Sequence, residues 1–175
     1  MGASGPLTRF SGCVWGVDVS TRRVAFAAVR EGAAPDFTVA QFPACWQPAG
    51  AWDPGRVDMM AQLVVAVSAK FAKRTGTPDV VVVETPTGRH PKPRLWFAAG
   101  ATLVGLMEFA PFVSTIPVAT WKKHSVGRGN ATKPEILAWA QAHGLPNRDQ
   151  DLADALGVAV GGRALITETN TKETA

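Results

Sequence analysis

Three acidic residues, Asp18, Glu84 and Asp154, occupy apolar surroundings in which an unpaired acid is costly, and a fourth, Asp151, lies three residues before Asp154. An ionised carboxylate in such a place costs roughly several kcal/mol unless it is paired or bound to a metal ion. A site made of carboxylate oxygens alone favours the hard cations Mg²⁺ and Mn²⁺ over zinc. The residue types therefore predict a magnesium site, provided that the fold brings the three segments together.

The chemistry predicted for this acidic set is phosphodiester cleavage. Two metal ions about 3.5 to 4 Å apart would hold the attacking and leaving oxygens of the phosphodiester. Asp151 and Asp154 are three residues apart, so on a helix they share one face. For Asp151 an alternative stays open, because acids near a helix start often serve only the helix dipole. Asp154 is the stronger candidate, since small and apolar residues surround it.

The basic residues gather near the candidate acids. The formal net charge is +4 and the pI is about 9.4. An acidic centre with a basic rim suits an enzyme that binds nucleic acid, because the rim neutralises phosphates that the acids repel. The alternative is a merely solvated basic face. The candidate DNA-binding residues are Arg89, Lys92, Arg94, Lys122, Lys123, Arg128 and Lys133.

Length and composition limit the possible classes of protein. A chain of 175 residues favours one domain, expected at residues 13–166 between a flexible start at 1–12 and a flexible tail at 167–175. Two cysteines outside any zinc spacing favour a reducing compartment. We find no signal peptide, membrane span, P-loop or GxSxG motif. We therefore expect a cytoplasmic protein that binds no membrane and no small-molecule cofactor.

The elements that must position the acids follow from hydrophobic periodicity. Three antiparallel strands precede alternating helices and strands, which predicts an α/β fold with a mixed five-stranded sheet flanked by helices. In such a sheet the first and fourth strands can be neighbours, which brings Asp18 to Glu84. Strands are expected at 14–19, 24–29, 37–42, 79–84 and 112–118, and helices at 54–73, 94–109, 132–143 and 150–165.

The order of these motifs resembles the RuvC family of Holliday-junction resolvases, which have a ribonuclease H-like fold. By that resemblance the four acids are catalytic and bind two Mg²⁺ ions, for which Mn²⁺ can substitute, while Lys122 and Lys133 contact the cleaved strand. The matching pieces are Gly16-Val17-Asp18, the valine run that ends at Glu84, the basic glycine-containing segment 121–133 and the segment 151–156.

The resemblance implies a crossover junction endodeoxyribonuclease that nicks four-way DNA symmetrically. Because a junction has approximate two-fold symmetry, we expect a homodimer. The apolar helix 94–109 is the expected interface, with candidate contacts Leu95, Trp96, Leu103 and Leu106.

Departures from the family pattern leave alternatives open. Thr87 stands where members often have an aromatic wedge, a departure that would fit a divergent, phage-encoded member. A fork or flap nuclease, a YqgF-type ribonuclease and a non-catalytic branched-DNA-binding protein are the alternatives.

Overall fold

The computed structural model describes residues 12–43, 54–86 and 93–173. Five strands and five helices lie there, one helix more than the sequence predicts. The strands are β1 (Val14–Val19), β2 (Arg23–Val29), β3 (Asp36–Gln41), β4 (Val80–Glu84) and β5 (Phe112–Ile116). The helices are α1 (Pro54–Thr75), α2 (Pro93–Leu106), α3 (Val118–Val126), α4 (Lys133–Ala142) and α5 (Gln150–Glu173). None of these helices is long and apolar enough to cross a membrane.

The strands form one mixed sheet in the order β3-β2-β1-β4-β5. The pairs β1–β2 and β2–β3 are antiparallel, whereas β1–β4 and β4–β5 are parallel. This confirms the predicted fold class and the predicted neighbours β1 and β4. In their register Val17 lies opposite Val83, so the next residue on each strand, Asp18 and Glu84, lies at the same edge of the sheet.

Helices cover both faces of the sheet. On one face α1 and α2 pack over side chains such as Trp15 and Val17. On the other face α3, α4 and α5 pack over Val14 and Val82. Because side chains alternate along a strand, Asp18 shares the face of Val14, and Glu84 shares the face of Val82. Both acids therefore belong to the face that α5 covers.

The helix α5 lies directly against the backbone of β1. A Cβ atom built at Gly16 would be 2.2 Å from both the carbonyl oxygen of Ala155 and the amide nitrogen of Ala159. Only glycine leaves room for so close an approach. Since Asp154 precedes Ala155, this contact positions the first turns of α5 over the strand that carries Asp18.

Helix α3 was not among the predicted helices. The segment was predicted to be a basic, glycine-containing stretch before a helix, yet residues 118–126 are helical. The side chain of Trp121 is 1% exposed and packs against α5, where a Cβ at Gly157 would be 2.4 Å from its ring. Packing against a distant helix thus stabilises a segment whose own sequence favours helix weakly.

Helix ends also differ from the prediction. Helix α5 continues to Glu173 rather than ending near residue 165, so residues 167–173 of the expected tail are helical. Once the first half of a helix is packed, each further residue adds a hydrogen bond at little cost. Helix α2 ends at Leu106, three residues early. The expected flexible start lies, apart from Gly12, outside the described residues, as do Thr87, Arg89 and Lys92.

We predict that Gly16→Ala destabilises the fold by about 3 kcal/mol or more, because the new methyl group would overlap the backbone of α5. Chemical unfolding followed by circular dichroism measures this. The matched control is Gly100→Ala in α2, where an added Cβ meets nothing within 4 Å. The control should gain up to about 1 kcal/mol through helix propensity. Equal stability of the two variants would contradict the proposed close packing.

Candidate active site

Three carboxylates from three elements influence one another at the edge of the sheet. They are Asp18 on β1, Glu84 at the end of β4 and Asp154 on the second turn of α5. Burial raises the pKa of Asp18 well above its usual range. The negative charges of Glu84, Asp154 and Asp151 raise it further. The predicted grouping of these segments is therefore present in the folded chain.

The carboxylate of Glu84 is held by a buried indole. The Nε1–H group of Trp121 donates a hydrogen bond of 2.8 Å to Glu84 Oε2. Burial raises the pKa of Glu84 to about 7, against the opposing effects of this hydrogen bond and of Lys122. A carboxylate with so high a pKa lacks sufficient neutralising charge, which is the setting that a bound cation relieves.

Asp154 is held within its own helix and faces two lysines. Gln150 Nε2 donates a hydrogen bond of 2.9 Å to Asp154 Oδ1, one turn further along α5. Burial raises the pKa of Asp154, whereas this hydrogen bond and the charges of Lys122 and Lys133 lower it. The two lysines that the resemblance singles out thus lie close enough to act electrostatically on a candidate catalytic acid.

Asp151 has a different environment from the other three acids. Its Oδ2 atom accepts a hydrogen bond of 2.5 Å from Nε of Arg23, at the start of β2. The same guanidinium holds Asp149 through two hydrogen bonds of 2.9 Å. Asp151 is therefore neutralised by a cation of the protein itself.

The donor set fits a hard cation by its chemistry, although the side chains are not gathered into one shell. Within the described ranges, no three Asp, Glu, His or Cys side chains are close enough together to hold a metal ion. Three of the four acids are hydrogen-bonded to the protein donors Trp121, Gln150 and Arg23. The oxygens are nevertheless of one hard type and repel one another, which favours Mg²⁺ or Mn²⁺ as the neutralising ligand.

The basic candidates divide into two groups. Lys122 lies beside the acids, with Nζ donating a hydrogen bond of 2.9 Å to the carbonyl oxygen of Ala131, and Lys133 opens α4. A capping box opens α4, since Glu135 accepts a hydrogen bond of 2.8 Å from the Thr132 amide. Lys123 and Arg94 are exposed, and Arg128 forms a salt bridge with Glu135. Arg89 and Lys92 lie outside the described residues.

Three residues of the site were missed by sequence reasoning, namely Arg23, Trp121 and Gln150. The position of Trp121, directly before Lys122 in the basic segment, was a usable signal. Arg23 gave none, because it lies in a hairpin more than 120 residues before the acids that it binds. Gln150 lies four residues before Asp154, a spacing at which helical side chains meet.

Comparisons with solved structures identify the fold. The chain is similar to the RuvC structure of Thermus thermophilus, with 22% identity, a TM-score of 0.66, and coverage of 90% of this chain and 97% of that one. It is also similar to T. thermophilus RuvC in complex with a Holliday junction substrate, with 23% identity, a TM-score of 0.69, and coverage of 91% and 97%.

A third similar structure is the yeast mitochondrial Holliday junction resolvase Ydc2. Its identity with this chain is 14%, its TM-score is 0.53, and the match covers 97% of this chain and 83% of that one. No protein-family model and no curated protein sequence matches the chain. At these identities the similarity establishes a RuvC-like, ribonuclease H-like fold.

We predict that the metal-free protein loses stability as the pH rises from about 4.5 to 7. The folded pKa of Glu84 is about 7 against 4.5 ordinarily, so in this window the folded state binds a proton that the unfolded chain releases. The loss reaches at most about 3 kcal/mol for this group above pH 7. Urea unfolding in a chelator at pH 5.5 and pH 8 measures it.

The variant Glu84→Gln should reduce this pH dependence, because its amide carries no charge while its oxygen still accepts from Trp121. Glu108→Gln, at an exposed acid just after α2, is the matched control and should retain the wild-type slope. If the free energy of unfolding changes with pH equally in Glu84→Gln and in wild type, the raised pKa of Glu84 is contradicted.

Proposed function

We propose that this protein is a metal-dependent endonuclease of the RuvC type that cleaves branched DNA, with four-way junctions as its main substrate. The observation that carries the proposal is the group of mutually repelling carboxylates on β1, β4 and α5, with Lys122 and Lys133 beside it. A fold like that of RuvC, solved in one case with a Holliday junction substrate, supports it.

Asp18, Glu84, Asp151 and Asp154 would hold the Mg²⁺ ions, two in each active site. Bound divalent ions would polarise a phosphoryl oxygen of the DNA and activate a water molecule. The protein's part is to keep the acids together despite their repulsion, which it does by packing α5 onto Gly16. Trp121 donates to one carboxylate oxygen of Glu84, and Gln150 donates to one carboxylate oxygen of Asp154. These hydrogen bonds restrict the orientation of the second oxygen of each acid.

Lys122 and Lys133 would position the cleaved strand. Each is close enough to lower the pKa of Asp154, so each is also close to where a bound phosphate must meet the acids. Lys133 lies in the first turn of α4, where the helix dipole favours an anion. Lysines at these points would neutralise backbone phosphates that the carboxylates otherwise repel.

We predict that Asp154→Asn lowers the rate of junction cleavage by at least about a hundredfold, while the protein still binds the junction. The substitution removes charge stabilisation worth several kcal/mol in the transition state, yet its amide oxygen still accepts from Gln150. The assay uses end-labelled four-way junction, fork, flap and linear duplex in Mg²⁺, with product ends mapped. Asp58→Asn, at an exposed acid on α1, is the control.

The outcomes separate the alternatives. Paired symmetric nicks in the four-way junction, lost in Asp154→Asn and kept in Asp58→Asn, support a resolvase. Preferential cutting of forks or flaps would make the protein a broader branch nuclease, and cutting of RNA strands would favour the YqgF-type ribonuclease. Wild-type binding without any cutting would leave a non-catalytic branched-DNA-binding protein.

We also propose a homodimer, formed through the exposed face of α2. On α2, Trp96 is 48% exposed and Val104 63%, and Met107, directly after the helix, is 69% exposed; a group of exposed large apolar side chains of this kind marks an interaction surface. The contacts expected from sequence need revision, because Leu106 is buried in the core and Leu103 packs partly against it. The opposite face of α2 packs on α1, where a Cβ at Gly105 would be 2.9 Å from the Ala61 carbonyl oxygen.

We predict that light scattering at micromolar concentration gives twice the 18.5 kDa chain mass. Val104→Glu should reduce the mass to that of one chain, because a buried unpaired charge is costly at an apolar interface. Ala138→Glu, at an exposed position on α4, should leave the dimer intact. A monomeric wild type would exclude the dimer.

A further inference from the structure

The guanidinium of Arg23 makes two separable contacts with the start of α5. Its NH1 and NH2 groups bind the two carboxylate oxygens of Asp149, each at 2.9 Å. Its Nε atom binds Asp151 Oδ2 at 2.5 Å. A bidentate pair with Asp149 is a complete fork-like interaction by itself. The Nε contact can therefore be lost without releasing Arg23 from Asp149.

Both ends of this connection are fixed. Asp149 Oδ1 also accepts hydrogen bonds from the amides of Asp151 and Leu152, at 3.0 and 3.3 Å, and so caps α5. At the other end, the Ser20 hydroxyl donates to the Arg23 carbonyl oxygen at 2.9 Å and accepts from its amide at 3.1 Å. Arg23 is therefore held in place whichever partner its Nε atom has.

Arg23 also acts on the acidic group itself. Its positive charge lowers the pKa of Asp18, against the larger effects of burial and the neighbouring acids. Asp151 is engaged by Arg23 while no three described carboxylates form a ready metal shell. The same cation thus neutralises part of the site and occupies one of its expected ligands.

We propose that Arg23 is an internal counter-ion that competes with the metal for Asp151. In the metal-free protein it binds Asp151 and keeps the start of α5 in place despite the crowded negative charges. When a divalent ion binds, Asp151 exchanges Arg23 for the ion, and Arg23 stays attached to Asp149. Arg23 is then a positioning residue that sets the metal concentration that the site requires. This inference rests on the proposed metal-dependent function.

The competing explanation is that Arg23 only ties the β1–β2 turn to α5. A tie of this kind would affect stability without a specific effect on metal binding through Asp151. A double-mutant cycle separates the two, because it isolates the coupling between Arg23 and Asp151 from the effect of either substitution alone. The variants are Arg23→Gln, Asp151→Asn and their combination.

The experiment measures Mn²⁺ binding without DNA, from the electron paramagnetic resonance signal of the free ion. Arg23→Gln should tighten Mn²⁺ binding about tenfold, within the range of coupling energies for residues in contact. In the Asp151→Asn background the same change should tighten it by less than about threefold. Arg22→Gln, at the exposed neighbouring arginine in the same turn, removes an equal charge and should stay near wild type.

Arg23→Lys is the second test variant, for use if circular dichroism shows that Arg23→Gln does not fold. A lysine keeps the charge, but its single ammonium cannot hold Asp149 bidentately and Asp151 together. If Arg23→Gln folds, the Mn²⁺ affinity of Arg23→Lys should lie between the affinities of wild type and Arg23→Gln. If Arg23→Gln does not fold, the Mn²⁺ affinity of Arg23→Lys should still exceed that of wild type. Wild-type affinity in Arg23→Lys would overturn the proposal.

The outcomes distinguish the role of Arg23 from the metal-dependent function itself. If the wild-type protein binds Mn²⁺ and Arg23→Gln binds it equally or more weakly, the proposed role of Arg23 is overturned. The proposed nuclease function would be unaffected. If Arg23→Gln tightens Mn²⁺ binding equally in the Asp151→Asn background, Arg23 acts on the metal only through long-range electrostatics. That result would also overturn the proposed exchange at Asp151. Absence of Mn²⁺ binding to the wild-type protein would remove the metal site and this inference together.

Discussion

The approach of α5 to the backbone of β1 at Gly16 is the constraint on which the candidate site depends. Carboxylates that repel one another do not gather by themselves, so their proximity must be enforced by packing elsewhere. Here the contact of Ala155 and Ala159 with Gly16 supplies that packing, next to Asp154 in the chain. The same helix contacts Trp121 through Gly157, which holds the indole against Glu84. Fold and site therefore share one set of contacts.

The acids differ in the partner that each one has. Glu84 is bound by a neutral indole donor, Asp154 by a neutral amide and Asp151 by a guanidinium. Neutral donors restrict orientation and leave the site's negative charge almost intact, whereas Arg23 cancels a charge outright. Such partners hold the acids in place while most of their negative charge remains, which is compatible with the proposed binding of a cation and a phosphate.

Local pattern predicted most of the fold. The four consecutive valines before Glu84 are typical of a strand covered on both faces, and β4 is such a strand, with β1 beside it. Local pattern failed at α3, whose stability comes from burying Trp121 against α5, a helix that begins almost 30 residues later. It also failed at the end of α5, where polar residues continue a helix that is already packed.

The sequence by itself determined which acids could do chemistry, because a carboxylate within an apolar strand or helix signals its cost through its immediate neighbours. It also determined the strand and helix types that carry Asp18, Glu84 and Asp154, since periodicity is a local property. Only the tertiary structure decided the partner of each acid. Arg23 and Asp151 are separated by 128 positions, and Trp121 and Glu84 by 37. Hydrogen bonds of that range depend on the three-dimensional packing of the sheet and α5, which no local pattern encodes.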